Sequence, residues 1–120
     1  MKTLLKLEEL AMLAFCIFLL WLFHAEWWVY LALLIAPDIS MLGYLVNNKV
    51  GAYWYNLFHH KGIAILIFLL GLLPLGDDIG LYFHGTGIVL FGHSSMDRFF
   101  GFGLKTTEGF KFTHLGKLGE

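Results

Sequence analysis

The sequence predicts an all-α integral membrane protein: an antiparallel four-helix bundle with both termini in the cytoplasm and an interfacial C-terminal tail. Three observations predict it. Apolar residues make up 58% of the chain and charged residues 14%, against about 25% charged in soluble domains, and the mean hydropathy is +0.72. Four apolar stretches approach the length of about 20 residues that the hydrocarbon core requires. Every Lys or Arg outside those stretches falls on one side of a four-span arrangement.

The first span is expected over about 7–23, with Glu8 and Glu9 at its start. Residues 1–24 also have a charged start and an apolar run, as a signal peptide does. The exit "HAEWW" lacks small residues, so the span is expected to stay. The second span, about 27–46, opens on Trp27 and Trp28 and carries Pro37 and Asp38 inside. The third, about 52–73, contains Asn56, His59, His60 and Lys61, and the fourth, about 79–99, contains His84, His93 and Asp97. The connections "HAE", "NNKVG" and "PLGDD" are short, which makes sequential spans antiparallel neighbours. Lys2, Lys6, Lys49, Lys105, Lys111 and Lys117 lie on one side, and Glu26, Asp77 and Asp78 on the other, so the first side is cytoplasmic. This gives a bundle over 1–101 and a tail over 102–120, in a bacterial inner membrane. Trp21, Trp27, Trp28, Tyr30, Tyr53, Trp54 and Tyr55 fit interfacial aromatic belts. In the fourth span Gly80, Gly87, Ser94 and Gly101 recur every seven residues, a small-residue stripe for close packing within the bundle or between copies in a homo-oligomer.

The net charge of −1 excludes nucleic acid as a partner. The single cysteine, Cys16, excludes an internal disulfide and reads as a packing residue.

Ionisable side chains inside a bilayer are costly and mark function. At a rise of about 1.5 Å per residue, Asp38, His59 and His93 lie roughly 12–15 Å from the cytoplasmic ends of their spans. Asp97 is one turn below His93, and Glu8 enters on the first span from the same side. His93 and Asp97, at i and i+4, share a helix face, as do Asn56 and His59 at i and i+3, while His60 points about 100° away. Pro37 frees a backbone carbonyl that Ser40 or a water would satisfy, and Tyr44 would bring a hydroxyl below the site. Asp38, His59, His93 and Asp97 therefore form a candidate ligand set for a divalent metal: zinc, or iron or manganese where more carboxylate oxygen is used. The plainer alternative is a structural network, with Asp97 paired to Arg98 or set against Lys105, His93 donating to a carbonyl across a helix interface, and Asp38 protonated.

Five motifs, "LEEL" at 7–10, "APDISMLGY" at 36–44, "YNLFHH" at 55–60, "GHSSMDRFFGFGLK" at 92–105 and "GFKFTHLG" at 109–116, occur in order along nearly the whole chain. They resemble a bacterial family of small membrane proteins named only as domain of unknown function 4260. The positions matching its pattern are Glu8, Pro37, Asp38, Tyr44, Asn56, His59, His93, Asp97, Arg98, Lys105, Thr113 and His114. Thr106 departs from it, standing where a tyrosine is expected. The resemblance implies no activity.

Function is therefore expected from the polar residues. The leading expectation is a metal-dependent hydrolase of a lipid or other amphiphile in the cytoplasmic half of the bilayer. Asp38, His59, His93 and Asp97 would hold the metal, Glu8 or His114 would be a general base, and Arg98 or Lys105 would hold an anionic group. His114 reaches such a site only if the tail folds back under the bundle; otherwise the tail lies among the membrane lipids. Ser94 and Ser95 lack a nucleophile turn, and one adjacent histidine pair is too little for a histidine-box oxygenase. The other class is non-catalytic: a helix-packing subunit, or an ion pathway, which the apolar outer half disfavours.

Overall fold

The computed structural model describes residues 1–118, which are mostly helical, as expected of an all-α chain. Helix α1 spans Lys2–Leu22 and ends where His24 takes the left-handed conformation (φ 57°). There the amides of Phe23, His24 and Ala25 turn back onto the carbonyls of Leu19, Trp21 and Leu20. This reversal satisfies the last orphan acceptors of the helix. Helix α2 spans Trp27–Ile35, and Pro37 changes the winding behind it: Ala36–Leu45 is a 3₁₀ helix. A 3₁₀ run of this length is uncommon. Its three-residue repeat turns Pro37 and Ser40 inward, and the Ser40 hydroxyl donates to the Pro37 carbonyl at 2.7 Å. Together α2 and the 3₁₀ helix form a stretch, Trp27–Leu45, of 19 residues and mean hydropathy 1.5; among the described residues it alone is long and apolar enough to cross a membrane.

The continuous third span expected over 52–73 is instead two helices, α3 (Asn48–His59) and α4 (Lys61–Leu70). His60 breaks it: its backbone is extended (ψ 119°), and its Nδ1 caps α4 by accepting from the Ile63 amide at 3.2 Å. Asn47 caps α3 in the usual way, its Oδ1 accepting from the Val50 amide at 2.8 Å. Gly51, Ala52, Tyr55 and His59 form the buried stripe of α3. Gly51 is required there, since a Cβ would lie 2.3 Å from the Tyr44 ring of the 3₁₀ helix.

Helix α5, Asp77–Phe99, is the central element, and its residues 87–90 and 92–95 are buried. One face meets α1, where Gly92 faces Cys16 and Phe23 stacks on His84 with centroids 5.7 Å apart, so the two helices run in opposite directions. A second face meets α4. A Cβ on Gly87 would fall 2.7 Å from the Ala64 carbonyl oxygen, and one on Gly80 would fall 2.9 Å from that of Gly71. Two members of the seven-residue stripe are thus used within the chain. The fourth, Gly101, ends the helix instead, at φ 93°. Cys16, Leu20, Leu33, Ile88 and Val89 make the apolar core.

The tail folds back. Residues 104–106 pair with 112–114: the Thr106 amide reaches the Phe112 carbonyl at 2.8 Å, and the His114 amide that of Leu104 at 2.9 Å. Strand β1 (Phe112–Thr113) then turns into β2 (Gly116–Lys117). Asn56 on α3 binds the tail through both main-chain groups of Lys105, at 2.6 and 2.7 Å, and Phe110 meets the Tyr44 ring edge-on.

Candidate metal centre

Asp38 of the 3₁₀ helix, His59 of α3, and His93 and Asp97 of α5 meet at one point, each offering a ligand atom, and these atoms all lie within 4.8 Å of one another. Asp38 Oδ1 is 3.0 Å from His93 Nε2 and 3.3 Å from His59 Nε2. Asp97 completes the ring, with Oδ2 at 3.2 Å from His59 Nε2 and Oδ1 at 3.5 Å from His93 Nε2. Both imidazoles are buried; Asp97 is largely covered, and Asp38, 38% exposed, is the open side.

The backbone orients both rings. In an α-helix the amide of residue 37 would bond the carbonyl of residue 33, but a proline has no N–H to give. That freed Leu33 carbonyl accepts from His93 Nδ1 at 2.8 Å, so His93 takes the acceptor that Pro37 releases, while Ser40 bonds the Pro37 carbonyl instead. His59 Nδ1 likewise donates to the Tyr55 carbonyl of its own helix at 2.8 Å. With Nδ1–H committed in both rings, the neutral tautomer leaves each Nε2 as a lone pair aimed at the carboxylates. Tyr55 adds an outer contact: its hydroxyl donates to Asp97 Oδ2 at 2.8 Å, and its ring stacks on His59 at 3.8 Å and 6°.

A Pro37→Ala protein tests this arrangement. The new amide competes with His93 for the Leu33 carbonyl. Outer contacts of this kind are worth about 10–100-fold in metal affinity. A loss in that range, with helical circular dichroism unchanged, is expected from metal titration; an unchanged affinity refutes the role of Pro37.

The other expected site residues are distributed differently. Glu8 is exposed on α1 and stands outside the cluster. Its neighbour Glu9 instead forms an ion pair with Lys61 of α4, whose Nζ also lies 5.2 Å from the Phe91 ring centre. His114 does not reach the cluster either, since the fold-back uses its Nδ1 to accept from the Leu104 amide at 2.8 Å. Partial burial and the nearby Arg98 charge hold its pKa below the usual histidine value. Arg98 borders a small recess with Tyr55, His59, Asp97 and Phe102. Lys105 is buried, 4% exposed, beside Tyr55. Burial pulls its pKa down, against the attraction of Asp97 and Asp38. Tyr55, expected only as a belt aromatic, is the contact that sequence reasoning missed. Its i, i+4 relation to His59 on the inner face of α3 was the available signal.

A mostly helical chain with a cluster of two buried histidines and two partly exposed aspartates defines the class. The family described as a domain of unknown function (DUF4260) matches residues 2–118, and the chain belongs to it. Comparison with curated proteins and with solved structures finds no match for this chain.

Proposed function

We propose that the chain is a four-span bundle of the bacterial inner membrane, with both termini cytoplasmic, and a metal-dependent hydrolase of an amphiphile. Membrane residence is supported by the exposed surface, where Leu4, Leu7, Phe15, Phe18, Trp21, Leu31, Leu66, Leu69 and Tyr82 are open. An apolar surface so extensive is not expected of a monomer in water.

One observation carries the metal assignment: both Nε2 lone pairs and both carboxylates converge on a common point. Donors around a tetrahedral zinc at about 2.0–2.1 Å stand roughly 3.3 Å apart, and the four Nε2–carboxylate separations here are 3.0, 3.2, 3.3 and 3.5 Å, with Asp97 turning one oxygen to each imidazole. A divalent cation also removes the repulsion between Asp38 and Asp97, and it would lower the pKa of a bound water to yield a nucleophile. Iron or manganese takes four such ligands and keeps open positions. Zinc would be saturated by them, so a catalytic zinc needs Asp38, the exposed member, to act on the water rather than on the metal. Glu8 and His114 stand away from the cluster; with zinc, Asp38 replaces them as the candidate base, and with iron or manganese it stays a ligand.

The second reading is a polar clasp. The same Nε2–carboxylate distances suit protonated imidazoles, and His93 ties α5 to α2. Elemental analysis of detergent-purified, untagged protein decides. Near-stoichiometric zinc, iron or manganese, absent from a folded Asp97→Asn protein, is the expected result. Protein that remains metal-free after all three ions are supplied overturns the hydrolase and leaves the clasp.

A further inference from the structure

Lys105 has no part in the ligand ring, yet it is one of the most buried polar residues of the chain. Lysines at a membrane boundary normally extend toward water, and this one is held inward. Its backbone is clamped on both sides, by the Asn56 amide on one edge and by the bridge to Thr113 on the other. Its ammonium lies 4.0 Å from the Phe110 ring centre, 4.8 Å from that of Tyr55 and 5.9 Å from that of Phe102. These rings attract the charge but accept none of its three N–H bonds in the ordinary way, and Nζ has no hydrogen-bond partner. Tyr44, whose ring packs on the same Phe110 at 5.5 Å, also buries a hydroxyl with no partner. Buried polar atoms without partners are rare and call for an explanation. Here both are donors, and both residues pack on the Phe110 ring.

We propose that Lys105 and Tyr44 form a subsite for a phosphate-type anion on the tail side of Tyr55, the ring whose hydroxyl holds Asp97. An ammonium with three N–H bonds and a hydroxyl offer four donors, and a phosphoryl group with three terminal oxygens answers them more fully than a carboxylate with two. Assigning that group to the substrate, a phosphate-bearing amphiphile, rests on the hydrolase reading. The binding itself does not.

The test uses the full chain in detergent, stripped of metal with EDTA, and calorimetric titration with dodecyl phosphate and with inorganic phosphate. Saturable binding that falls tenfold or more in Lys105→Met and severalfold in Tyr44→Phe is expected. Methionine keeps the length and packing of the stem, and thermal unfolding checks that each variant folds. If Lys105→Met does not fold, the Tyr44→Phe loss decides. Binding of dodecyl phosphate alone identifies a lipid headgroup, and binding of both identifies a general phosphate site. No binding by the wild type, or equal binding by the folded variants, overturns the subsite. Metal content of the same preparation, taken before stripping, reports separately: phosphate binding in a chain that never holds metal preserves the subsite and removes the hydrolase.

Discussion

A His93→Ala protein will hold no divalent metal and will unfold at a markedly lower temperature than the wild type. His93 is fully buried where α2, the 3₁₀ helix and α5 meet. Truncation leaves the Leu33 carbonyl without its imidazole donor, at about 1–3 kcal/mol for an unsatisfied buried group. It also leaves a cavity, and large-to-small changes in cores cost about 2–5 kcal/mol. A destabilisation of about 3–5 kcal/mol follows, allowing for some collapse of the site. The metal and clasp readings both predict this loss, so the distinguishing measurement is thermal unfolding with and without added metal. A ligand bound only by the folded state raises its stability by mass action. Under the metal reading the wild type gains stability from the ion and His93→Ala gains none. Equal responses of the two proteins exclude His93 as a ligand.

The second large effect lies between α4 and α5. Gly87→Leu drives a side chain into the Ala64 carbonyl and the backbone and Cβ of Phe68, all within 2.8 Å of its first carbon. Backbone cannot yield as a flexible side chain does, so α4 must move away. Overpacking of this kind costs about 1–3 kcal/mol, and the upper end is expected because the first contact is main chain. Gly85 on the same helix is the control, since a Cβ there meets nothing within 4 Å. Gly85→Ala should be neutral or stabilise by up to about 1 kcal/mol through helix propensity. Equal effects of the two changes in thermal unfolding would show that the close approach is unimportant.

Much of the cluster was legible because depth in a helix is counted residue by residue. Asp38, His59, His93 and Asp97 follow from four distances along the chain, and the i, i+4 pair on α5 needed no tertiary knowledge. Glu8 shows the limit of that reasoning. Depth alone does not give azimuth, and a one-residue step of about 100° separates the exposed Glu8 from Glu9, which meets Lys61. The break at His60 was hidden because the polar group His59–Lys61 is short and lies between the apolar Leu57-Phe58 and the apolar run from Ile63, and an imidazole cap competes with helix continuation only through local geometry. Pro37 announced a freed carbonyl but not which donor would take it. The tail misled for a different reason. Its alternating Phe and Lys suit an interface equally well, and the Asn56 clamp spans 49 residues of sequence. The fold-back therefore brings Lys105, and not His114, beside Tyr55.

The anchoring of both imidazoles on main-chain oxygens has a consequence for how this centre tolerates change. The acceptors at positions 33 and 55 belong to the polymer rather than to a side chain, so the ring nitrogens keep their assignment whatever residue is substituted there. Leucine at 33 and tyrosine at 55 remain answerable to packing and to the Asp97 contact. The direction of the two imidazoles is instead written into the path of the backbone, and it is lost when the chain is re-routed or when a new donor, such as the amide of Pro37→Ala, takes the carbonyl.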